Sequence, residues 1–210
     1  MNKHLATLLS AVFHPLLVPS YLFYIVCYQL PGVISYPTQP NRWQVTGLVL
    51  GFTLVLPALG TAALLWRGVV SSLELRERRQ RPLPLLLATV SFGAAAVLLG
   101  RFPAASDALL VQMMAGMTGA VLLTLLISLR WKISAHGVGM GGAVGLLALL
   151  HLGGQTGEAA LWWLVGSVVL AGAVLSARLA LDAHTPAQVW AGFGMGAGLV
   201  LGFSLGLAWV

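Results

Sequence analysis

Long apolar runs separated by short polar gaps dominate the chain. Seven of them approach the roughly 20 residues that a helix needs to cross a hydrocarbon core. They lie near residues 5–30, 45–66, 83–100, 108–129, 133–152, 159–181 and 187–210. No run alternates with the two-residue period of a strand. The pattern therefore predicts an all-α, multi-pass transmembrane helical bundle of six to seven spans. Pro15 and Pro19 interrupt the first run. That run is expected to be kinked, broken or re-entrant, since each proline removes a donor and obstructs the preceding turn. If it does not cross, six spans and one irregular segment remain. The gaps are short, which predicts a single integral membrane domain over residues 1–210.

Glycine is abundant within the predicted helices. Gly137, Gly141 and Gly145 recur every four positions, and so do Gly194, Gly198, Gly202 and Gly206. In lipid, such small-residue stripes let two helices approach closely. Both series are read as packing faces. Trp162 and Trp163 fit an interfacial belt.

Composition removes the main rival to a membrane protein. Charged residues make up 8% of the 210 residues and apolar ones 59%, against roughly a quarter charged in a soluble domain. The mean hydropathy is +0.92. Disorder is excluded on the same grounds. The net charge of +6 does not indicate nucleic acid, because the basic residues sit in the gaps between apolar runs. There they act as flank charges or anion ligands. Cys27 is the single cysteine, so no internal disulfide forms and no cysteine cluster calls for a metal. The N-terminal apolar run is too long for the core of a signal peptide and is read as retained.

Counting spans brings three polar stretches to the face that holds Met1. The first reads Glu74-Leu75-Arg76-Glu77-Arg78-Arg79-Gln80-Arg81-Pro82. The second is Arg130-Trp131-Lys132-Ile133-Ser134-Ala135-His136, and the third runs from Arg178 through Asp182, His184, Thr185 and Pro186 to Gln188. Each opens a helix. Pro82 and Pro186 suit a first helical turn, and Ser134 is a natural cap for the fifth span. Helix N-termini offer free N–H groups and a partial positive charge, which favours phosphate. Guanidinium groups add bidentate bonds to phosphate oxygens. Arginines and helix N-termini beside two histidines point to a phosphate site with acid–base chemistry.

These residues resemble the signature of the type 2 phosphatidic acid phosphatase superfamily, which also includes undecaprenyl-diphosphate phosphatases and vanadium haloperoxidases. The family's first motif is Lys, six residues, then Arg-Pro; Arg81-Pro82 resembles its end. Its second is Pro-Ser-Gly-His, matched in part by Ile133-Ser134-Ala135-His136. Its third is Ser-Arg, five residues, His, three residues, Asp. Ala177-Arg178 followed by His184 keeps that spacing. The motif-bearing region is 74–192. The resemblance implies an integral membrane lipid phosphatase. His184 would attack phosphorus and form a phosphohistidine, and His136 would protonate the leaving oxygen. Arg81, Arg178, Ser134 and the Ala135 N–H would hold phosphoryl oxygens. No metal or other cofactor is implied. The partners implied are membrane lipids, among them a phosphorylated lipid substrate.

Four departures from the family pattern matter. Glu74 stands where the family has Lys, and Arg76, Arg78 or Arg79 could substitute for it. Ala135 replaces Gly, and Ala177 replaces Ser. Gln188 replaces the Asp that stabilises the nucleophilic histidine. Four residues from His184, Gln188 can orient the ring through its amide oxygen but supplies no charge. Asp182 is a second candidate for that charge. These departures keep a rival reading open, in which a catalytically weak relative binds or translocates phosphorylated lipids; a purely structural subunit is a third. His4, His14 and His151 are read as structural, and Arg130 and Lys132 as anchors. Nine of the 11 basic residues fall on the side of Met1, which the positive-inside rule assigns to the cytoplasm. Bacterial relatives commonly place the site on the outer face of the inner membrane, so orientation stays open.

Overall fold

A computed structural model describes residues 1–38, 41–75, 77–101, 107–154 and 157–206, with side chains described as far as residue 202. All regular structure among these residues is helical. Five stretches are long and apolar enough to cross a membrane: Arg42–Trp66, Arg78–Arg101, Ala108–Ser128, Ala135–Leu152 and Gly157–Ala180.

The first apolar run does not form one helix. It gives α1 (Lys3–Val12), which Asn2 caps by accepting the His4 N–H, and then α2 (Val18–Tyr24). Pro15 has no N–H to continue α1, and Phe13 closes it with its own N–H on the Leu9 carbonyl. The second run is α3 (Arg42–Leu50), a wide turn over Gly51–Val55, and α4 (Leu56–Trp66). Pro57 explains the wide turn. It cannot donate to the Thr53 carbonyl four residues earlier, and the chain answers with an i→i+5 bond from Leu56 N–H to the Gly51 carbonyl. α5 (Pro82–Arg101) and α6 (Ala108–Ser128) follow, with Pro82 at the start of α5 as its sequence position predicts. Asp107 caps α6 through Leu109 N–H at 3.1 Å and also accepts the Ser35 N–H at 3.1 Å.

The chain divides into two compact units. One holds residues 1–18, 24–33 and 133–210, and the other holds 19–23 and 34–132. In the second unit α5 packs on α4 and α6. Val49, Phe92, Ala95, Leu110 and Met114 form its buried apolar centre.

The first unit is built on α7 (Ala135–Leu152), α8 (Gly157–Ala180) and α9 (Pro186–Gly206), with α1 packed on α8. α7 is its central helix. Half of its apolar window is buried, against 17–28% for the other four candidate spans. Glycine makes this possible. A Cβ at Gly137 would fall 2.6 Å from the Val189 carbonyl oxygen, and one at Gly145 3.2 Å from Ala197 Cα. At Gly141 a Cβ would collide with the Phe193 carbonyl. The register is constant along the pair, so α7 and α9 run parallel in continuous backbone contact.

The glycines that α9 contributes differ from those expected. Gly194, Gly198 and Gly202 have no neighbour within 4 Å of a built Cβ. Gly192 and Gly196 make the contact instead, against the Ser134 and Val138 carbonyls. Two residues of α-helix turn the face by roughly 200°, so the two glycine series point nearly opposite ways. The side chain surroundings of Gly206 lie outside the described residues.

Candidate functional site

The N-termini of α7 and α9 meet. Ser134 N–H donates to the Gln188 carbonyl at 3.2 Å. Ser134 is fully buried and caps α7, its Oγ accepting the Gly137 N–H at 3.2 Å. Ala135 is the first residue of α7, and His136, the second, is 9% exposed. The second and third polar stretches of the sequence are thus joined by backbone contact, with no side chain needed to bridge them.

His184 lies in the turn before α9, half-buried. Its Nδ1 is 3.1 Å from Gln188 Oε1. The same oxygen accepts the Thr185 N–H at 3.3 Å, and Thr185 Oγ1 accepts the Gln188 N–H at 3.4 Å. The reciprocal pair is a capping box, Thr185 at the cap and Gln188 three residues on. Because a backbone donor fixes which end of the amide is oxygen, the Nδ1 of His184 must be the donor toward it. The neutral ring then carries its lone pair on Nε2. The expected orienting contact from Gln188 is present, and its cause is partly local: this side chain also closes the first turn of α9. The pattern Thr185-Pro186-Ala187-Gln188 carries that signal in the sequence.

Arg178 is half-buried in the last turn of α8. Such a position also complements the helix dipole. Its guanidinium lies within electrostatic reach of both His14 and His136, and His184 lies within reach of His136. Asp182 has a local explanation. The Ala183 N–H bonds the Arg178 carbonyl and the Asp182 N–H the Leu179 carbonyl, which makes a Schellman ending to α8. Asp182 occupies its left-handed position, with φ 49° and an exposed side chain.

His14, read from sequence as structural, belongs to this neighbourhood. Its ring meets that of His136 edge-on, with centroids 5.7 Å apart and planes at 80°. His136 Nε2 lies 2.9 Å from the Ser10 carbonyl oxygen of α1. The signal available in the sequence was a histidine directly before the proline that breaks the first run.

Arg81, at the start of α5 in the second unit, is a buried arginine, 7% exposed. Glu74, Arg78 and Arg79 belong to that unit as well. Arg76 lies outside the described residues. Among the described residues, no three His, Cys, Asp or Glu side chains gather as metal ligands would.

Comparison with protein-family models, with curated proteins and with solved structures finds no match to this chain.

Proposed function

We propose that the chain is an integral membrane phosphatase acting on a lipid phosphate or a polyprenyl (di)phosphate through a phosphohistidine. The observation that carries this reading is the joined start of α7 and α9. There His184, oriented by Gln188, and His136 and Arg178 share one neighbourhood. Nε2 of His184 forms the bond to phosphorus as the bond to the leaving oxygen breaks. That oxygen takes a proton that His136 has first received from the monoanionic phosphoryl group of the substrate. Water then attacks phosphorus and gives a proton to His136, the P–N bond breaks to release neutral His184, and His136 returns the proton to the departing phosphate. Arg178 and the N–H groups opening α7 are suited to the charge on the equatorial oxygens. From the family resemblance alone, Arg81 and Arg76 are also expected as phosphate ligands; Arg81 belongs to the second unit. The bundle then has six to seven spans, with α9 and the broken first run added to the five long helices, and resides in a bacterial inner membrane.

A second reading is favoured by two observations. Gln188 is neutral and serves as a cap, and His136 already donates its Nε2 proton to Ser10. Both suit a relative that binds or translocates phosphorylated lipid with little turnover.

Phosphate release from phosphatidate and polyprenyl-phosphate vesicles, without added divalent metal, tests the first reading. His184→Ala and His136→Ala are expected to reduce release to background, a loss of at least about 100-fold. Unchanged turnover in His184→Ala removes it as nucleophile. Binding of phosphate with no wild-type release favours the second reading.

A further inference from the structure

The break in the first apolar run delivers two contacts to one side chain. In an unbroken helix the Ser10 carbonyl would accept the N–H of His14, four residues on. Here the His14 N–H turns to the Ala11 carbonyl at 3.3 Å, and Pro15 has no N–H to offer. The Ser10 carbonyl is thereby released, and His136 Nε2 takes it at 2.9 Å. Ser10 is 7% exposed, so water does not compete freely for that oxygen. His14 itself is held in place. The Leu16 N–H donates to its Nδ1 at 3.3 Å, which puts the proton of the neutral ring on Nε2. Its ring then closes edge-on against His136.

A carbonyl oxygen only accepts. The nitrogen of His136 facing Ser10 is therefore the protonated one, and the lone pair of the neutral ring is on Nδ1. We propose that the His14–Pro15 break positions His136. The released Ser10 carbonyl and the His14 ring hold it as the Nε2–H tautomer, so that His136 takes a proton on Nδ1 and then passes it on from there. His14 is a positioning residue in this arrangement. The charged and titratable groups facing His136 are Arg178, His14 and His184. This inference rests on the reading of His136 as the acid–base group of a phosphatase.

The test uses the full chain, 15N-labelled at histidine, in lipid nanodiscs, with His136→Gln to assign the His136 signals. The wild type is expected to show Nε2 of His136 protonated and Nδ1 unprotonated near neutral pH. His14→Ala is expected to mix the two tautomers. On a lipid phosphate substrate it is expected to lower kcat roughly tenfold to a hundredfold, with KM changed by less than about twofold. His14→Phe keeps a ring of similar outline and should restore most of both properties. Protonated Nδ1 in wild-type His136 overturns the inference, and this outcome is readable even if His14→Ala does not fold. Unchanged tautomer and kcat in folded His14→Ala also overturn it. A wild type that releases no phosphate, yet shows the Nε2–H tautomer and loses it in His14→Ala, defeats the phosphatase reading and leaves the positioning intact.

Discussion

Replacing Gly141 by alanine adds one methyl group where α7 meets the backbone of α9. At the neighbouring Gly137 the built Cβ is 2.6 Å from the Val189 carbonyl oxygen, and ordinary contact begins at 3.4 Å. The gap between those two values is 0.8 Å. The approach at Gly141 is closer still and is against backbone, at the Phe193 carbonyl, so no rotamer change relieves it. The helices must separate by about an ångström, and overpacking of this kind costs roughly 1–3 kcal/mol. Gly194→Ala is the matched control, since its Cβ would enter open space. It removes a glycine from a helix, a change worth up to ~1 kcal/mol in favour of the helix. The two substitutions should therefore move stability in opposite directions. Thermal unfolding in a single detergent, followed by helical circular dichroism, measures this. Gly141→Ala should lower Tm by several degrees, at roughly 2–4 °C per kcal/mol, while Gly194→Ala leaves it level or slightly raised. The separation also moves Ser134 against Gln188, so turnover should fall on the order of 100-fold if a displacement of that size reaches the site. Equal effects from the two alanines would refute the assignment of the α7–α9 contact.

Gln188→Asp gives His184 a charged partner while keeping an acceptor for the Thr185 N–H. A large rise in phosphate release from a near-zero baseline marks a weakened site, and high wild-type release argues that the amide suffices. Ser134→Ala removes the cap of α7 and should cost about 1 kcal/mol by chemical unfolding; a loss indistinguishable from zero would contradict the cap. Asp182→Gly relieves a left-handed residue at the end of α8 and should stabilise by about 0.5–1 kcal/mol with turnover unchanged. Loss of turnover there would instead make Asp182 the charge acting on His184.

The residues around α7 and α9 show how much of the site was legible in advance. Ser134 and Pro186 announced their helix starts, and His184 with Gln188 announced their contact, because capping and i,i+4 contacts depend only on local geometry. The capping box at Thr185 was equally local and was readable from the same four residues. His14 stood out only by preceding Pro15; its contact with His136 was not legible, because that partner lies 122 positions away and nothing in the spacing of the two residues records it.

The same division holds for the fold. Apolar run length and the scarcity of charge set the helical, membrane-crossing character, since lipid leaves the backbone few other ways to satisfy its hydrogen bonds. Proline positions set where the first run breaks and where the Arg42–Trp66 rod widens. Which glycines of α9 face α7 was decided only in three dimensions. Both series repeat every four residues, and the choice between them follows from the junction of Ser134 with Gln188, which pins the rotation of one helix against the other. The carbonyl that His136 finds at Ser10 was decided there too: the break frees an acceptor, but only the packing of the helices selects the donor that takes it.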